Sequence, residues 1–265
     1  MATNGSLTTS ERRKSNANMM TTGIEKRRKK QSPINITNDI TEQDSKLKAS
    51  KLKFSYTVGD LKTIEVTGEG FSCKTDDGCT SELTASHLPD VYKLWEFHAH
   101  WGTDKNCGSE HLINGKGFSA ELHFVFWNKK YGEFKKCLKK CDGLTVLAVF
   151  MQEDSVENEN FSPVIDGIHN SLGHLSRVDL EPKFDLLKLL PAKLSYYTYE
   201  GSLTSKPFHE CVIWTILKHP NTISLDQLEL LRQIIPGNCR LQYPLNERRV
   251  KRSFKFVKKS QYHVS

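Results

Sequence analysis

Two histidines stand one residue apart in the segment FHAHWG, which otherwise has the composition of a buried strand. Side chains alternate faces along a strand, so His98 and His100 point the same way, with Cα atoms about 6.5 Å apart. A third histidine, His123, lies in AELHFVFWN (120–128), and the turn-rich GSEHLINGKG before it lets the two strands run antiparallel. Three convergent imidazoles, with no cysteine at comparable spacing, predict a Zn²⁺ site that leaves a fourth position open for catalysis.

Two carboxylates accompany these histidines. Glu96 and Glu121 each precede a histidine by two residues on the same strand face. From there a carboxylate can accept the second ring N–H and fix the tautomer of the ligand. Other histidines lack such surroundings, and an ordinary hydrogen-bonded core residue is the favoured interpretation for three of them: His169, His174 and His219.

Strands must position these side chains, because short alternating or β-rich runs dominate the chain. Turn residues such as DDG, NGKG and CDG separate several of these runs. We predict strands at 53–58, 62–68, 93–101, 119–127, 144–151, 194–199 and 210–217.

Helical signals are fewer than strand signals. One is the segment 224–235, where Ser224 and Gln227 occupy capping-box positions. The other is an apolar repeat at helical spacing, formed by Ile165, Ile168, Leu172 and Leu175. The sequence therefore predicts one mainly β domain with helices in its connections.

The net charge of +7 is concentrated at the N-terminus. Residues 1–30 hold eight Lys or Arg against two Glu, which leaves +6 there and +1 elsewhere. This segment has no Phe, Trp or Tyr, so it cannot bury enough surface to offset its ordering entropy. We predict a basic disordered tail at 1–30, a catalytic domain at 31–258 and a C-terminal extension at 259–265, with no nucleic-acid binding by the domain.

The cysteines and the hydropathy indicate the compartment. Seven cysteines without CxxC pairing fit reduced thiols better than a disulfide framework. No apolar run reaches the length of a membrane span, and the N-terminus lacks a secretory h-region. We expect a cytoplasmic protein that does not enter a membrane, with nuclear or mitochondrial targeting through the basic tail as alternatives.

An ordered set of segments resembles the α-class carbonic anhydrases of the cytosolic type. It extends from about Gln31 to Phe254 and comprises QSPINI, EFHAHWG, GSEH, AELHFVFWN, YGEF, GSLTS, ECVIW and NCRLQYPLNERRV. The resemblance implies a single domain with a large central, mostly antiparallel twisted β-sheet and short peripheral helices, and it implies a monomer. It also implies a zinc lyase whose metal-bound hydroxide converts CO₂ to bicarbonate, and which binds sulfonamide or anion inhibitors at the zinc.

The resemblance further implies a role for each matching residue. His98, His100 and His123 match the zinc ligands. Thr204 matches the threonine that orients the nucleophile, and Glu110 the carboxylate that takes the threonine's proton. Three residues match positions that support the ligands: Glu96, where glutamine is usual, Glu121 and His111. The substrate pocket matches Val125, Val146, Leu203, Thr204, Ser205, Val212 and Trp214.

One departure from the family bears on the rate. Glu69 stands where fast members carry a histidine that relays the product proton. Histidine titrates near neutrality, whereas glutamate is ordinarily ionised there and relays protons poorly. We therefore expect turnover that is limited by proton export.

Two other function classes stay open. One is a silent, carbonic-anhydrase-related binding protein, which the presence of all three ligands with Thr204 and Glu110 disfavours. The other is a polyanion-binding module led by the basic tail.

Overall fold

Thirteen strands pair into one sheet within the described residues, 29–172 and 177–256 of the computed structural model. The predictions for residues 1–28, His174, Leu175 and the extension at 259–265 lie outside these residues. The strands are β1 (Asn35–Ile36), β2 (Thr41–Gln43), β3 (Lys53–Ser55), β4 (Leu61–Thr67), β5 (Gly70–Thr75), β6 (Glu82–Thr84), β7 (Tyr92–Trp101), β8 (Leu112–Ile113), β9 (Ala120–Asn128), β10 (Leu144–Asp154), β11 (Arg177–Asp179), β12 (Tyr196–Gly201), β13 (Val212–Leu217), β14 (Asn221–Ser224) and β15 (Val250–Arg252).

The large sheet has the order β11-β4-β5-β7-β9-β10-β13-β12-β15-β2, with β14 beside β10, β6 beside β7 and β3 beside β6. Three of its pairings are parallel, namely β10 with β13, β10 with β14, and β15 with β2; the others are antiparallel. Outside this sheet, β1 and β8 form a parallel pair. The mainly β, mostly antiparallel fold that the sequence and the resemblance predict is confirmed.

The central strand β9 separates two hydrophobic clusters by simple alternation. Leu122, Phe124 and Phe126 point into the larger cluster, while Val125 points into the smaller one. Nearly every residue of the strand is buried, because both faces of the sheet are covered here. The histidine of this strand, His123, faces the smaller cluster.

Three α-helices lie in the connections of the described chain: α1 (Phe134–Cys137), α2 (Ser162–Ser171) and α3 (Leu225–Ile234). The predicted capping box is present at the start of α3. The Ser224 hydroxyl accepts the Gln227 backbone N–H at 3.2 Å, and the Gln227 side-chain oxygen accepts the Ser224 N–H at 3.1 Å. No helix among the described residues is both long and apolar enough to cross a membrane.

The predicted strands recur with shifted ends. The strand predicted at 53–58 stops at Ser55, because the chain turns where the Asp60 N–H donates to the Thr57 carbonyl at 3.1 Å. Gly59 takes a φ of +93° in this turn, which favours glycine. The sequence analysis did not identify β5, whose run GFSCKT lacks regular alternation of apolar and polar residues.

Candidate metal centre

A β-bulge in β7 turns the two histidines of FHAHWG toward the smaller cluster. The register with β9 slips between Leu94 and Glu96, so Trp95 is an extra residue. Before the bulge the even-numbered Leu94 packs in the larger cluster, and after it the odd-numbered Phe97 does so. His98 and His100 therefore point to the opposite face of the sheet from Leu94, although all three positions are even.

The same pairing of β7 with β9 brings the third histidine into place. His98 lies directly opposite His123, and His100 lies opposite Glu121. The ring centroid of His98 is 5.2 Å from the ring centroid of His100 and 5.2 Å from that of His123. The centroids of His100 and His123 are 4.7 Å apart. One nitrogen from each ring lies within 4.8 Å of the others, so the three side chains can hold a metal ion.

Each imidazole is held through its second nitrogen. Nδ1 of His98 lies 3.2 Å from Oε1 of Glu96, and Nε2 of His123 lies 2.9 Å from Oε1 of Glu121. Both carboxylate contacts are as the sequence predicts. Nδ1 of His100 instead donates to the backbone carbonyl of Asn238 at 3.2 Å.

The remaining nitrogens fit a metal ion. Among the described residues, Nε2 of His100 is a buried atom without a hydrogen-bond partner. Burial, together with the neighbouring imidazoles, holds the pKa of His100 well below its usual range, and burial lowers the pKa of His123 to about 4. These two rings are therefore neutral near pH 7, which is the form that binds metals. Three imidazoles without a thiolate are a donor set that suits Zn²⁺ with an open position.

A second group of potential ligands lies behind the first. His111, Glu121 and His123 also bring suitable atoms within 4.8 Å of one another. Their atoms are already used, because His111 Nδ1 is 2.7 Å from Oε1 of Glu121 and His111 Nε2 is 2.7 Å from the Tyr199 hydroxyl. The group is thus a hydrogen-bonded support for His123. Burial alone would raise the pKa of Glu121, but His111 and His123 outweigh it and hold this pKa well below its usual range.

Glu110 is fully buried beside the imidazoles. Its Oε1 accepts the Arg240 backbone N–H at 2.9 Å and lies 3.5 Å from Nδ1 of His100. Burial and the charge of Glu121 raise the pKa of Glu110 to about 8, against a smaller lowering by the Thr204 hydroxyl. Among the described residues, its buried Oε2 has no well-aligned hydrogen-bond partner. The Thr204 hydroxyl is nevertheless close enough to lower the pKa of the Glu110 carboxyl.

A cavity of about 260 Å³ opens beside His98 and His123, two of the three imidazoles. Six of the seven residues predicted for the substrate pocket line it: Val125, Val146, Leu203, Thr204, Ser205 and Trp214. Val212 is not among its lining residues; it is buried in the smaller hydrophobic cluster beneath the wall. The sequence analysis missed His209, which lines the same cavity with His98 and His123.

Glu69 lies apart from this cavity. It occupies an exposed turn between β4 and β5, where its carbonyl accepts the Asn238 side-chain amide at 3.1 Å. It is not among the described residues that line the cavity.

Comparison with known proteins shows which family the chain belongs to. The model of the eukaryotic-type carbonic anhydrase family matches residues 19–254. The chain belongs to the eukaryotic-type carbonic anhydrases. The resemblance seen in the sequence is therefore confirmed, and the match supports carbonate dehydratase activity.

Three curated carbonic anhydrases illustrate how far the similarity extends. Carbonic anhydrase 3 of Homo sapiens is 37% identical over 238 residues, which are 85% of this chain and 90% of the relative. Carbonic anhydrase 1 of Oryctolagus cuniculus is 36% identical over 85% of this chain and 99% of the relative. Carbonic anhydrase 1 of Mus musculus is 37% identical over 84% and 89%. The matched region thus includes all the strands that carry the candidate metal centre.

Proposed function

We propose that this carbonic anhydrase catalyses the reversible hydration of CO₂ to bicarbonate and a proton at a Zn²⁺ ion held by His98, His100 and His123. The observation that carries the proposal is the convergence of three imidazoles whose second nitrogens are already anchored, with the buried Nε2 of His100 left without a partner. When bound, Zn²⁺ supplies Lewis-acid chemistry that produces a hydroxide nucleophile from water near neutral pH, for which carbonic anhydrase is the standard example.

Thr204 and Glu110 are the residues to which we assign orientation of the nucleophile. The Thr204 hydroxyl can donate to the Glu110 carboxylate, which leaves its oxygen to accept a hydrogen bond from the attacking oxygen. Glu110 must be ionised for this, and the charge of a dication among the imidazoles favours its ionised form. The Arg240 backbone N–H, 2.9 Å from Oε1, fixes the carboxylate in place. Because the Thr204 hydroxyl donates its proton to Glu110, it can only accept a hydrogen bond from the attacking oxygen. It thereby orients that oxygen toward the substrate, which lowers the activation barrier although Thr204 takes no part in bond making.

The wall beside the imidazoles suits a small neutral substrate. Val125, Val146 and Trp214 are buried and apolar, and they line the same cavity as the polar Ser205 and Lys206. CO₂ offers no hydrogen-bond donor and little polarity, so an apolar surface next to the nucleophile is sufficient to receive it. The same cavity accounts for the inhibitors expected of the family, sulfonamides and small anions, which would bind at the metal.

Export of the product proton is the step that we propose limits turnover. Glu69 occupies an exposed turn, and His209 is the one imidazole, besides His98 and His123, among the described residues that line the cavity. His209 is half-buried at the cavity wall, and an imidazole there can pass a proton toward solvent. We infer that His209 supplies a slow internal route.

The His209→Ala variant tests this route. In dilute buffer we expect kcat to fall severalfold with kcat/KM unchanged, because proton export follows CO₂ conversion. Imidazole added to the buffer should raise kcat in both proteins and by a larger factor in the variant. A kcat that is indifferent to buffer in the wild type would refute the limitation by proton export, and equal kcat values in dilute buffer would refute the role of His209.

Stopped-flow CO₂ hydration tests the proposed function as a whole. The zinc-loaded protein should be active, should lose activity when a chelator removes the ion, and should regain it on adding Zn²⁺. His100→Ala should lower both zinc content and activity, whereas the exposed His169 provides a matched control, His169→Ala, that keeps both. Zinc retained by the wild type without turnover would favour the alternative of a silent binding protein.

We propose a cytoplasmic monomer. The odd number of cysteines, all of them free thiols, supports the cytoplasmic location, and the monomer rests on the resemblance to the family. Targeting to the nucleus or mitochondria would depend on residues 1–28, which lie outside the described chain. Sedimentation of the purified protein and imaging of a tagged full chain measure the two properties.

A further inference from the structure

Two exposed cysteines, Cys107 and Cys239, meet beside the metal centre although 132 residues separate them in the chain. The Cys239 thiol donates to the Cys107 carbonyl at 3.4 Å. Four other cysteines are buried: Cys73, Cys79, Cys137 and Cys211. The contact therefore joins two of the three thiols that solvent reaches.

The backbones of the two segments are also close. The Asn238 N–H donates to the Trp101 carbonyl at 3.1 Å. A Cβ atom on Gly237 would lie 3.1 Å from Cα of Gly102, and one on Gly102 would lie 2.2 Å from the Cys107 carbonyl oxygen. Two glycines thus let the chain around residue 239 approach the turn that ends at Cys107, and this close backbone packing brings the Cys239 thiol to the Cys107 carbonyl.

Cys239 stands between two residues that hold the candidate site. The carbonyl of Asn238 accepts from Nδ1 of His100 at 3.2 Å, and the N–H of Arg240 donates to Oε1 of Glu110 at 2.9 Å. A movement of the backbone at Cys239 is therefore transmitted to a proposed metal ligand and to the proposed partner of Thr204.

We propose that Cys107 and Cys239 are a redox-sensitive pair, which a hydroperoxide converts into a reversible disulfide that lowers the activity of the metal centre. The effect on activity rests on the proposed function. A disulfide imposes a fixed dihedral angle and a Cα separation within about 7 Å, so the S–S bond would replace the weak S–H contact and change the backbone position at residue 239. Misplacement of catalytic groups by about 1 Å can reduce a rate about 100-fold.

The chemistry needs two thiols and one hydroperoxide. The Cys107 thiolate attacks the peroxide oxygen to give a sulfenic acid, and one alcohol or water leaves. The Cys239 thiolate then attacks the sulfenic sulfur, which forms the S–S bond and releases water. Two electrons pass from the sulfurs to the peroxide, and both thiol protons end in the released products.

The order of these steps follows from the surroundings of the thiols. Desolvation first, and then the charge of Glu110, raise the pKa of the Cys239 thiol. Thiols with raised pKa react slowly with peroxide because the thiolate is the nucleophile. We therefore assign the attack on peroxide to the exposed Cys107 and the second attack to Cys239.

Peptide mapping of the zinc-loaded full chain tests the modification itself. After treatment with hydrogen peroxide, digestion without reductant should yield one cross-linked peptide pair containing Cys107 and Cys239, with the loss of two hydrogens. Dithiothreitol should abolish it. Cys141 is the third exposed cysteine, so Cys141→Ser should still form the cross-link and serves as the matched control. A Cys107 that stops at sulfenic acid, or links elsewhere, would overturn the proposal.

Activity measurements on the same samples test the consequence. We expect the oxidised wild type to lose at least about tenfold in kcat/KM, with zinc retained, and to recover with dithiothreitol. Cys107→Ser and Cys239→Ser should keep their activity under peroxide. A cross-link without loss of activity, or equal loss in both serine variants, would overturn the regulatory role. An inactive reduced wild type would instead contradict the proposed function, while the peptide map would still report on the cross-link.

Discussion

Glu96 places a negative charge behind a proposed metal ligand. Burial alone would raise the pKa of Glu96, but the hydrogen bond and charge of His98 outweigh it and the net pKa is lowered. The side chain is therefore ionised at neutral pH. An ionised acceptor makes the imidazole a stronger electron donor than a neutral amide does, and a stronger donor weakens the Lewis acidity of the ion.

Glu96→Gln removes the charge and keeps an oxygen acceptor 3.2 Å from His98 Nδ1. We expect the midpoint of the pH profile of kcat/KM to move down by about half a unit, because the bound ion becomes more electrophilic. Stopped-flow rates between about pH 6 and 9 measure this midpoint. The exposed Glu159→Gln is the control, and a midpoint that stays fixed or moves upward in Glu96→Gln would contradict the reasoning.

The sequence indicates the proposed ligands of this centre but not all of the groups that hold them. His98, His100 and His123 were accessible because imidazoles at alternating positions in a buried strand are unusual. The Asn238 carbonyl, which accepts from His100, is a backbone oxygen. Every residue type carries such an oxygen, so the sequence cannot show that this one supports His100. His209 lies in a loop after Thr204, where alternation does not apply, so its place in the cavity follows only from the folded chain.

The bulge at Trp95 is the element that decides which face of the sheet carries the site. Strict alternation from Tyr92 and Leu94 would direct His98 into the larger hydrophobic cluster. The sequence analysis placed Glu96, His98 and His100 correctly because it counted only after the bulge. An extra residue leaves no reliable composition signal, and it is recognised here through the register with β9.

The capping box of α3 is the best test of an element that the sequence specifies fully. Ser224→Ala removes the acceptor for the Gln227 N–H at the buried start of the helix. We expect the free energy of unfolding to fall by about 1 kcal/mol, measured from the urea midpoint. Ser155→Ala, at an exposed position outside any cap, is the control.

Activity in native buffer should stay within about twofold in Ser224→Ala, because the cap lies at the far end of α3 from the metal centre. The near end is held separately, where the Trp101 indole N–H donates to the Ile235 carbonyl at 2.9 Å. A large loss of activity at full folding would show that the helix start is coupled to the site.

At the scale of the whole molecule, the basic tail and the domain are expected to act independently. Described contacts begin at its boundary, where the Lys30 N–H and the Gln31 side-chain amide both donate to Oε1 of Glu210 at 2.9 Å. Deleting residues 1–28 spares these contacts. We expect zinc content and kcat/KM to remain unchanged and any binding to heparin, a polyanion probe, to be lost. Retained heparin binding would locate the polyanion site on the domain.

Protonation of the buried His87 ring makes the free energy of unfolding of the whole domain depend on pH. Its ring nitrogens lie 3.0 Å from the Tyr196 hydroxyl and 2.7 Å from the Thr215 hydroxyl, on neighbouring strands of the sheet. Burial lowers its pKa to about 4. In the unfolded chain the pKa of histidine is about 6.5, so between these values the unfolded state binds more protons and stability rises with pH.

Acidification from pH 6.5 to 4 should therefore cost up to about 3 kcal/mol through His87 alone. His87→Gln keeps polar groups near both hydroxyls but does not titrate, so its stability should fall less steeply over the same window. Other buried histidines, including His123, contribute equally to both proteins, and the difference between the two urea-denaturation curves at each pH isolates the single residue. Parallel curves between pH 6.5 and 4 would mean that folding does not lower the pKa of His87, and would contradict the prediction.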